Sequence, residues 1–458
     1  MDSRLTLGFL GVWSLFCAVA LPCGAAAPSG DKLTLVANHR PGELSRVQWA
    51  LQVGGDLEFL DDSGKNTKVP MSVVANLKYD EALLAIDQDG RPARSVRYYD
   101  DIRAVIKIDQ GGEKPSLDPG RRLIVAERGK TGPCVLYCPN EPLRREELEL
   151  IDVPGSTLAF DGFLPDKPVA IGDTWKVDEE PLAALLCLDA VGKSEVECVL
   201  GEVQDGEAIV SAAGSLSGAV GGISTEIELK IKYKFNRQAR RIHSFAMLIK
   251  EQRAAGHIGP GLDTVAKLVV QVVPIRASQT LTAERLRQVP GSTTEDQLAL
   301  GYSALGGQFQ LAYDRRWHLT NDEPKLAVLR MLDRGELLAQ CNVSALPQVK
   351  KPVTLAQFQR DVERSLGKNF GQFTAASQQV NDTGYAVFRV VVDGKVSGVP
   401  VEWIYYLVQD RQGHRVSLAF TLESGKRERF AAADSAFVSA VRLTEPPAPT
   451  AAKPVQTK

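Results

Sequence analysis

Residues 226–235 read EIELKIKYKF. The apolar set Ile227, Leu229, Ile231, Tyr233 and Phe235 takes every second position, with Glu and Lys between. Successive side chains of a strand point to opposite faces, so this stretch is a strand with one dry face and one wet face. Parallel sheets are covered on both faces; a one-sided strand belongs to an antiparallel sheet.

The same pattern runs outward from Leu33 to about Ile275. LSRVQWALQV, SVVANLKYDEALLAI, SVRYYDDIRAVIKI, RRLIVAER and RIHSFAMLIKEQR alternate or form β-rich apolar runs. Gly54-Gly55-Asp56, Asp89-Gly90, Gly111-Gly112 and Gly129-Lys130 separate them as turns. One helix interrupts: NEPLRREELELIDVPG, with Asn140 as its N-cap, Pro142 in the first turn and Pro154-Gly155 as its stop.

At 276–307 Ser, Thr, Gln and Gly enrich and periodicity weakens, which marks a linker. Beyond it strands mix with helices. FQLAYDRRWHL, AVLRML and GELLAQCNVSAL read as strands, and TLAQFQRDVERSLG as a helix capped by Thr354 and closed by Gly367, with Leu355, Phe358, Val362 and Leu366 as its stripe. Hairpin-linked strands follow, then a closing helix with Phe430, Phe437 and Val441 inward. The fold class is therefore α+β. A mostly antiparallel β domain over 31–275, a curved sheet or half-barrel with one short helix, is joined to a domain of mixed helix and antiparallel sheet over 308–445. Residues 446–458 are a Pro- and Ala-rich tail.

Residues 1–27 have another character: Arg4, an apolar run from Leu5 to Leu21, and small residues ending at Ala25-Ala26-Ala27. That is the layout of a secretory signal peptide. The run spans about 26 Å as a helix, short of a hydrocarbon core of about 30 Å. The expectation is an exported protein, periplasmic or secreted, with no transmembrane segment in the mature chain; an uncleaved anchor is the alternative. Lys plus Arg is 54 against 56 for Asp plus Glu, so no global field favours nucleic acid, and no nucleic-acid partner is expected.

Export permits disulfides. Cleavage near Ala27 leaves Cys134, Cys138, Cys187, Cys198 and Cys341. In CVLYC as a strand, Cys134 and Cys138 are about 13 Å apart, beyond the roughly 7 Å a disulfide tolerates. A strand with two packing thiols is the leading reading; a looped pair or a metal site stays open. Cys187 and Cys198 make the candidate disulfide: a two-residue turn at Gly192-Lys193 sets them opposite each other, with Cα atoms about 5.5 Å apart. Cys341 alternates with Leu337, Ala339 and Val343 and reads as a core thiol.

Catalytic motifs fail on inspection. The centre of Gly214-Ser215-Leu216-Ser217-Gly218 is Leu216, so no nucleophile elbow exists, and no Gly-Lys-Ser/Thr follows to make a phosphate loop. His39, His243, His257, His318 and His414 do not stand at metal-ligand spacing. Asp87 to Gly90 reads as a hairpin turn. Asp178-Glu179-Glu180 and Tyr98-Tyr99-Asp100-Asp101 read as solvated carboxylates. No catalytic, cofactor-binding or metal-ligating residue is assigned, and no cofactor is expected.

Two resemblances add to this. YCPNEPLRREELELIDVPGSTLAFDGFLPDKPVAIGDTW, with GSLSGAVGGISTEIELKIKYKF and HIGPGLDTVAKL, resembles uncharacterised secreted proteins of planctomycete-type bacteria, which implies an address without an activity. YDRRWHL and HRVSLAFTLESGKRERFAAADSAFVSAVRL resemble PsbP-like domains. That implies an α/β/α sandwich around an antiparallel sheet for 308–445, in a family whose members mostly bind proteins. The function expected is a non-catalytic envelope protein that binds a protein partner or an apolar ligand. The alternative is a secreted hydrolase whose carboxylates assemble only in space. A pocket in which two carboxylates and a histidine converge would favour the second; an apolar groove would favour the first.

Overall fold

The computed structural model describes residues 31–60, 66–129, 132–256, 259–304, 306–349 and 353–444. The expected signal peptide, the C-terminal tail and His257 lie outside the described residues. The protein is β-rich, its sheets are antiparallel and open, and no helix among the described residues is long and apolar enough to cross a membrane.

Three long strands come first: β1 (Leu44–Leu60), β2 (Asn66–Ile86) and β3 (Pro92–Ile108). Then follow β4 (Gly111–Glu113), β5 (Leu123–Glu127), β6 (Val135–Tyr137), helix α1 (Arg145–Ile151), β7 (Thr174–Lys176), helix α2 (Glu179–Leu186), β8 (Ala190–Ser194) and β9 (Glu197–Gln204). Four more long strands complete the sheet: β10 (Glu207–Val220), β11 (Ile223–Asn236), β12 (Arg241–Arg253) and β13 (Gly261–Ile275). The order is β6-β5-β3-β2-β1-β13-β12-β11-β10-β9-β7, with β4 on β3 and β8 on β10.

β11 obeys its alternation: Ile227, Leu229, Ile231, Tyr233 and Phe235 are buried while Glu226, Glu228 and Lys230 are exposed. Register carries the same face across the sheet. One row runs Ala212, Ile231, Met247, Leu268, Leu51, Ala75, Ala104 over seven strands, and every member is buried.

That dry face is filled by the chain itself. A plug of α1, the 3-10 turn at Thr157–Phe163 and α2 lies on it. Phe160 stacks on Phe245 with centroids 4.4 Å apart, and the Trp49 indole donates to Pro154 O at 2.9 Å. Phe163 O accepts from the Trp175 indole at 3.0 Å and the Tyr233 hydroxyl at 2.7 Å. Gly155 has φ +98°, and a Cβ there would meet Leu268 at 2.6 Å, so only glycine lets the backbone come this close to the sheet.

Three sequence expectations need correction here. α1 begins at Arg145, not just after Asn140: Glu147 accepts from the backbone N–H of Arg144 at 2.9 Å and of Asp118 at 3.0 Å, which fixes the helix start later. The β domain also carries a second helix. Residues 179–186 form α2, with Asp178 at the N-cap position and Glu179 and Glu180 in the first turn, where carboxylates suit the helix dipole. The supposed hairpin at Gly192-Lys193 does not form, because β8 and β9 lie end to end along the same strand, β10.

The segment read as a linker is folded. It holds α3 (Ala283–Arg287) and α4 (Glu295–Leu298), and Leu281 packs with Val96, Val125 and Tyr137 on the sheet's other face. Arg94 pins it by donating to Pro290 O and Gly291 O at 2.8 and 3.0 Å. Next come β14 (Leu300–Ser303) and β15 (Phe309–Tyr313), which pair.

The C-terminal part is a seven-stranded antiparallel sheet. Its strands are β16 (Trp317–Glu323), β17 (Leu326–Asp333), β18 (Glu336–Leu346), then, after α5 (Leu355–Leu366), β19 (Phe370–Val380), β20 (Ala386–Val396), β21 (Val399–Gln409) and β22 (Arg415–Glu423). The sheet order is β16-β17-β18-β22-β21-β20-β19. α5 is capped by Thr354, which accepts from Gln357 N, and packs Phe358, Val362 and Leu366 on one face. The closing segment is broken at Ala431, whose φ is +49°, into α6 (Arg427–Phe430) and α7 (Ala433–Ser439). Phe430 and Phe437 meet Trp317 and Phe420 on the opposite face. A last strand, β23 (Arg442–Leu443), pairs with β15. FQLAYDRRWHL thus splits into β15 and β16 of different sheets, hinged at Asp314, which accepts from Arg316 N.

Candidate functional site

All five cysteines of the described residues are free thiols. The candidate Cys187–Cys198 bridge is corrected by α2: Cys187 is the left-handed C-cap of that helix (φ +56°), while Cys198 lies in β9 opposite Ala212 with its Sγ 3.8 Å from Phe163 O. CVLYC is a strand. Cys134, Leu136 and Cys138 face the main core, and Tyr137 faces the other way toward Leu281. Burial pushes the Cys134 and Cys138 thiols up and the Cys198 thiol up to about 12, so none is a ready nucleophile. Among the described residues, no group of three or more His, Cys, Asp or Glu stands where it could hold a metal ion.

One cleft does gather carboxylates and a histidine. His39 Nε2 is 2.9 Å from Asp161 Oδ2 and its Nδ1 is 3.6 Å from Glu43, which also takes Arg241 at 3.3 Å. Deeper in, Glu81 accepts from Ser95 at 2.8 Å and Arg97 at 2.9 Å, and Thr157 Oγ1 lies 2.8 Å away, locked between Glu81 and Arg97. Burial alone would lower the His39 pKa, but the hydrogen bond and charge of Asp161 outweigh it and raise it. The cleft is about 60 Å³, room for a few water molecules. Each carboxylate already has a partner. The cluster welds the N-terminal strap and the plug to the sheet. No local motif announces it, because His39, Glu81 and Asp161 come from widely separated stretches.

A larger opening lies where the β-rich part meets the C-terminal sheet. A cleft of about 840 Å³ runs between α4 and α7 over β15, walled by Leu298, Ala312, Trp317, Ala433, Phe437 and Ala440 among others. A second cleft of about 420 Å³ adjoins it, with Ala312 and Ala440 in both linings, and the two together are termed the groove over β15. β15 sends Phe309, Leu311 and Tyr313 into the core and leaves Ala312 half-exposed. On α7, Ala433, Ala436 and Ala440 recur at helical spacing beside the buried Phe437.

The groove is framed by an arginine clasp. Arg145 of α1 donates to Arg315 O at 2.6 Å and Trp317 O at 2.8 Å; Arg315 in turn donates to Leu298 O and Leu136 O, both at 2.6 Å. Burial lowers the Arg315 pKa to about 10, helped by the Arg145 charge and only partly offset by Asp152 and Asp314. Burial, then the Arg145 charge, lowers His318 to about 4, so His318 is neutral at pH 7. In the smaller cleft Arg121 is bound by Glu147 at 3.2 Å, whereas Arg442, among the described residues, donates to Ser439 O and Val441 O at 2.8 and 2.9 Å. Arg144 lines the same cleft and makes no ion pair with a described residue.

No known protein family matches the chain, and no curated protein matches it. Solved structures show distant likenesses. CyanoP, the cyanobacterial PsbP of a Synechocystis species, is 14% identical, over 34% of this chain and 97% of its own, at a TM-score of 0.26. A Mog1 variant is 14% identical, over 32% of this chain and 95% of its own, at 0.26. Lipovitellin, in a structure of its lipid–protein interactions, is 9% identical, over 53% of this chain and 27% of its own, at 0.29. At these scores none bears on what this chain binds.

Proposed function

We propose that the protein is an exported, non-catalytic binding protein of the cell envelope, and that the groove over β15 holds an apolar ligand. The observation that carries this is the groove itself: about 840 Å³ at a junction between two sheets, lined by Leu298, Tyr313, Trp317, Phe437 and alanines, with Glu295, Asp296, Asp314, Arg315 and Arg316 beside them. Ligand sites are typically concave, mostly apolar and placed at such junctions. Within this reading the first 27 residues are a cleaved leader, the resemblance to secreted planctomycete-type proteins supplies the address, and residues 308–445 form a PsbP-like sandwich. The three-layer order of α5, sheet and α6–α7 supports that last assignment. The hydrolase alternative would centre on His39, Asp161 and Glu81, where the cleft is about 60 Å³ and the carboxylates are already paired. The test is native against denatured mass of the chain purified from an exporting host. A native mass higher by a discrete lipid-sized increment supports carriage. A native mass equal to the chain alone, together with no uptake of added amphiphiles, sinks it and turns attention to a protein partner.

A further inference from the structure

Resting on that reading, we propose that the groove's ligand is an anionic amphiphile, its apolar chain along the alanine floor and its negative head at Arg144 and Arg442. The two ends of the groove differ in charge. The smaller cleft presents the guanidiniums of Arg121, Arg144 and Arg442 and one carboxylate, Glu141. Arg121 is neutralised by Glu147, Asp118 and Glu141 at 3.2 to 3.5 Å, which leaves Arg144 and Arg442 without a carboxylate partner among the described residues. Arg442 is already held in place by two backbone carbonyls, so little side-chain freedom is lost when an anion meets it. The larger cleft carries both signs, Glu295 and Asp296 with Arg315 and an Asp314–Arg316 pair, around an apolar interior that reaches Trp317 and Phe437. A negative head is therefore drawn to the end that holds Arg144 and Arg442, which sets the ligand's direction as well as its sign. The shared floor fits a chain. Ala433 to Ala440 covers about 10 Å of helix, and Gln310 to Asp314 about 13 Å of strand.

The head group that satisfies this chemistry is a carboxylate or a phosphate. The experiment is calorimetric titration of the full exported chain with four twelve-carbon probes below their micelle concentrations: dodecanoate, dodecyl phosphate, dodecyl maltoside and dodecyltrimethylammonium. The expected result is that both anions bind roughly tenfold or more tightly than the maltoside, that about 0.5 M salt erodes the preference, and that the cation binds worst. A preference for phosphate over carboxylate identifies the bidentate guanidinium–phosphate source; the reverse identifies a fatty-acid-like one. Arg144→Gln with Arg442→Gln, both on exposed side chains, should abolish the preference and keep the weaker, neutral binding, while Ala440→Phe should block all four probes. Equal affinity for anion, neutral and cation overturns the charge assignment and leaves the apolar groove standing. Binding by none of the probes overturns the groove itself. The comparison of head groups on the unmodified chain needs no variant, so a misfolded mutant does not rescue the idea.

Discussion

Phe160→Ala tests whether the plug fills the hollow of the sheet. Phe160 is 3% exposed, and its ring lies 4.4 Å from that of Phe245 at an interplanar angle of 4°. Phe163 meets the same Phe245 edge-on at 5.6 Å, so a cavity at position 160 is walled by rigid rings and cannot easily collapse. Buried Phe→Ala changes cost about 3–5 kcal/mol, of which the stacked pair accounts for about 0.5–1.5. At about 2–4 °C per kcal/mol, the melting temperature should fall by roughly 6–20 °C. Urea unfolding followed by tryptophan fluorescence is the assay, because Trp49 and Trp175 both anchor their indoles to plug carbonyls and report its release. Phe59→Ala, on a side chain 42% exposed, is the control and should change stability by less than about 0.5 kcal/mol. If Phe160→Ala costs under about 1 kcal/mol, or no more than the control, the plug is not packed on the sheet. The hollow would then be open, and the ligand would belong there rather than in the groove over β15.

Further outcomes follow from other parts of the fold. Gly222→Ala places a Cβ 1.9 Å from Gly335 Cα at φ +72°, where two hairpin turns touch, and should cost about 1–3 kcal/mol in urea unfolding; an unchanged midpoint would mean that the turns are not in contact. Because Asp161 raises the His39 pKa, that pair's contribution to stability is full below the ordinary histidine value of about 6.5 and disappears as pH climbs through the raised value. Relative to His39→Gln, the natural chain should therefore lose urea resistance as pH rises across that window, and parallel curves for the two would refute the pairing. With Cys134, Cys138, Cys198 and Cys341 buried, a thiol reagent at neutral pH should leave these four untouched in the native protein and label all five thiols of the described chain in denaturant; a mass deficit of two hydrogens would restore a disulfide.

What the sequence made legible was whatever depends on one stretch alone. β11 and α5 each carry a dry stripe at a single period with a wet face opposite, and both fold as their spacing demands. α2 hid for the opposite reason. Pro181 to Leu186 are all buried, so no polar face marks the helical period, and the run looks like a strand. The signals that mark it are Asp178 at the N-cap position and two glutamates in the first turn, a run that a solvated cluster of carboxylates would match equally well. The candidate disulfide then failed with the hairpin it needed. The clefts were illegible in principle: the groove takes its walls from residues 121–144, 295–317 and 433–442, and each contribution is small and unremarkable where it stands.

An imperfectly packed junction and a binding groove can look alike, and one substitution separates them. Ala440 is half-exposed and shared by both clefts. Replacing it with leucine adds apolar atoms against Ala312 and the chain around Arg442. If these are buried at about 0.8 kcal/mol per CH₂, ligand-free Ala440→Leu should gain up to about 2 kcal/mol. A simple packing defect predicts that gain and nothing else. A groove kept for a ligand predicts the gain together with weaker probe binding, the usual opposition between stability and function. The decisive measurement is therefore the pair: the urea midpoint of the empty protein and the affinity for dodecyl phosphate, on the same variant. A more stable protein that binds as before would show the alanine floor to be mere loose packing, and both the groove and its anionic ligand would fall with it.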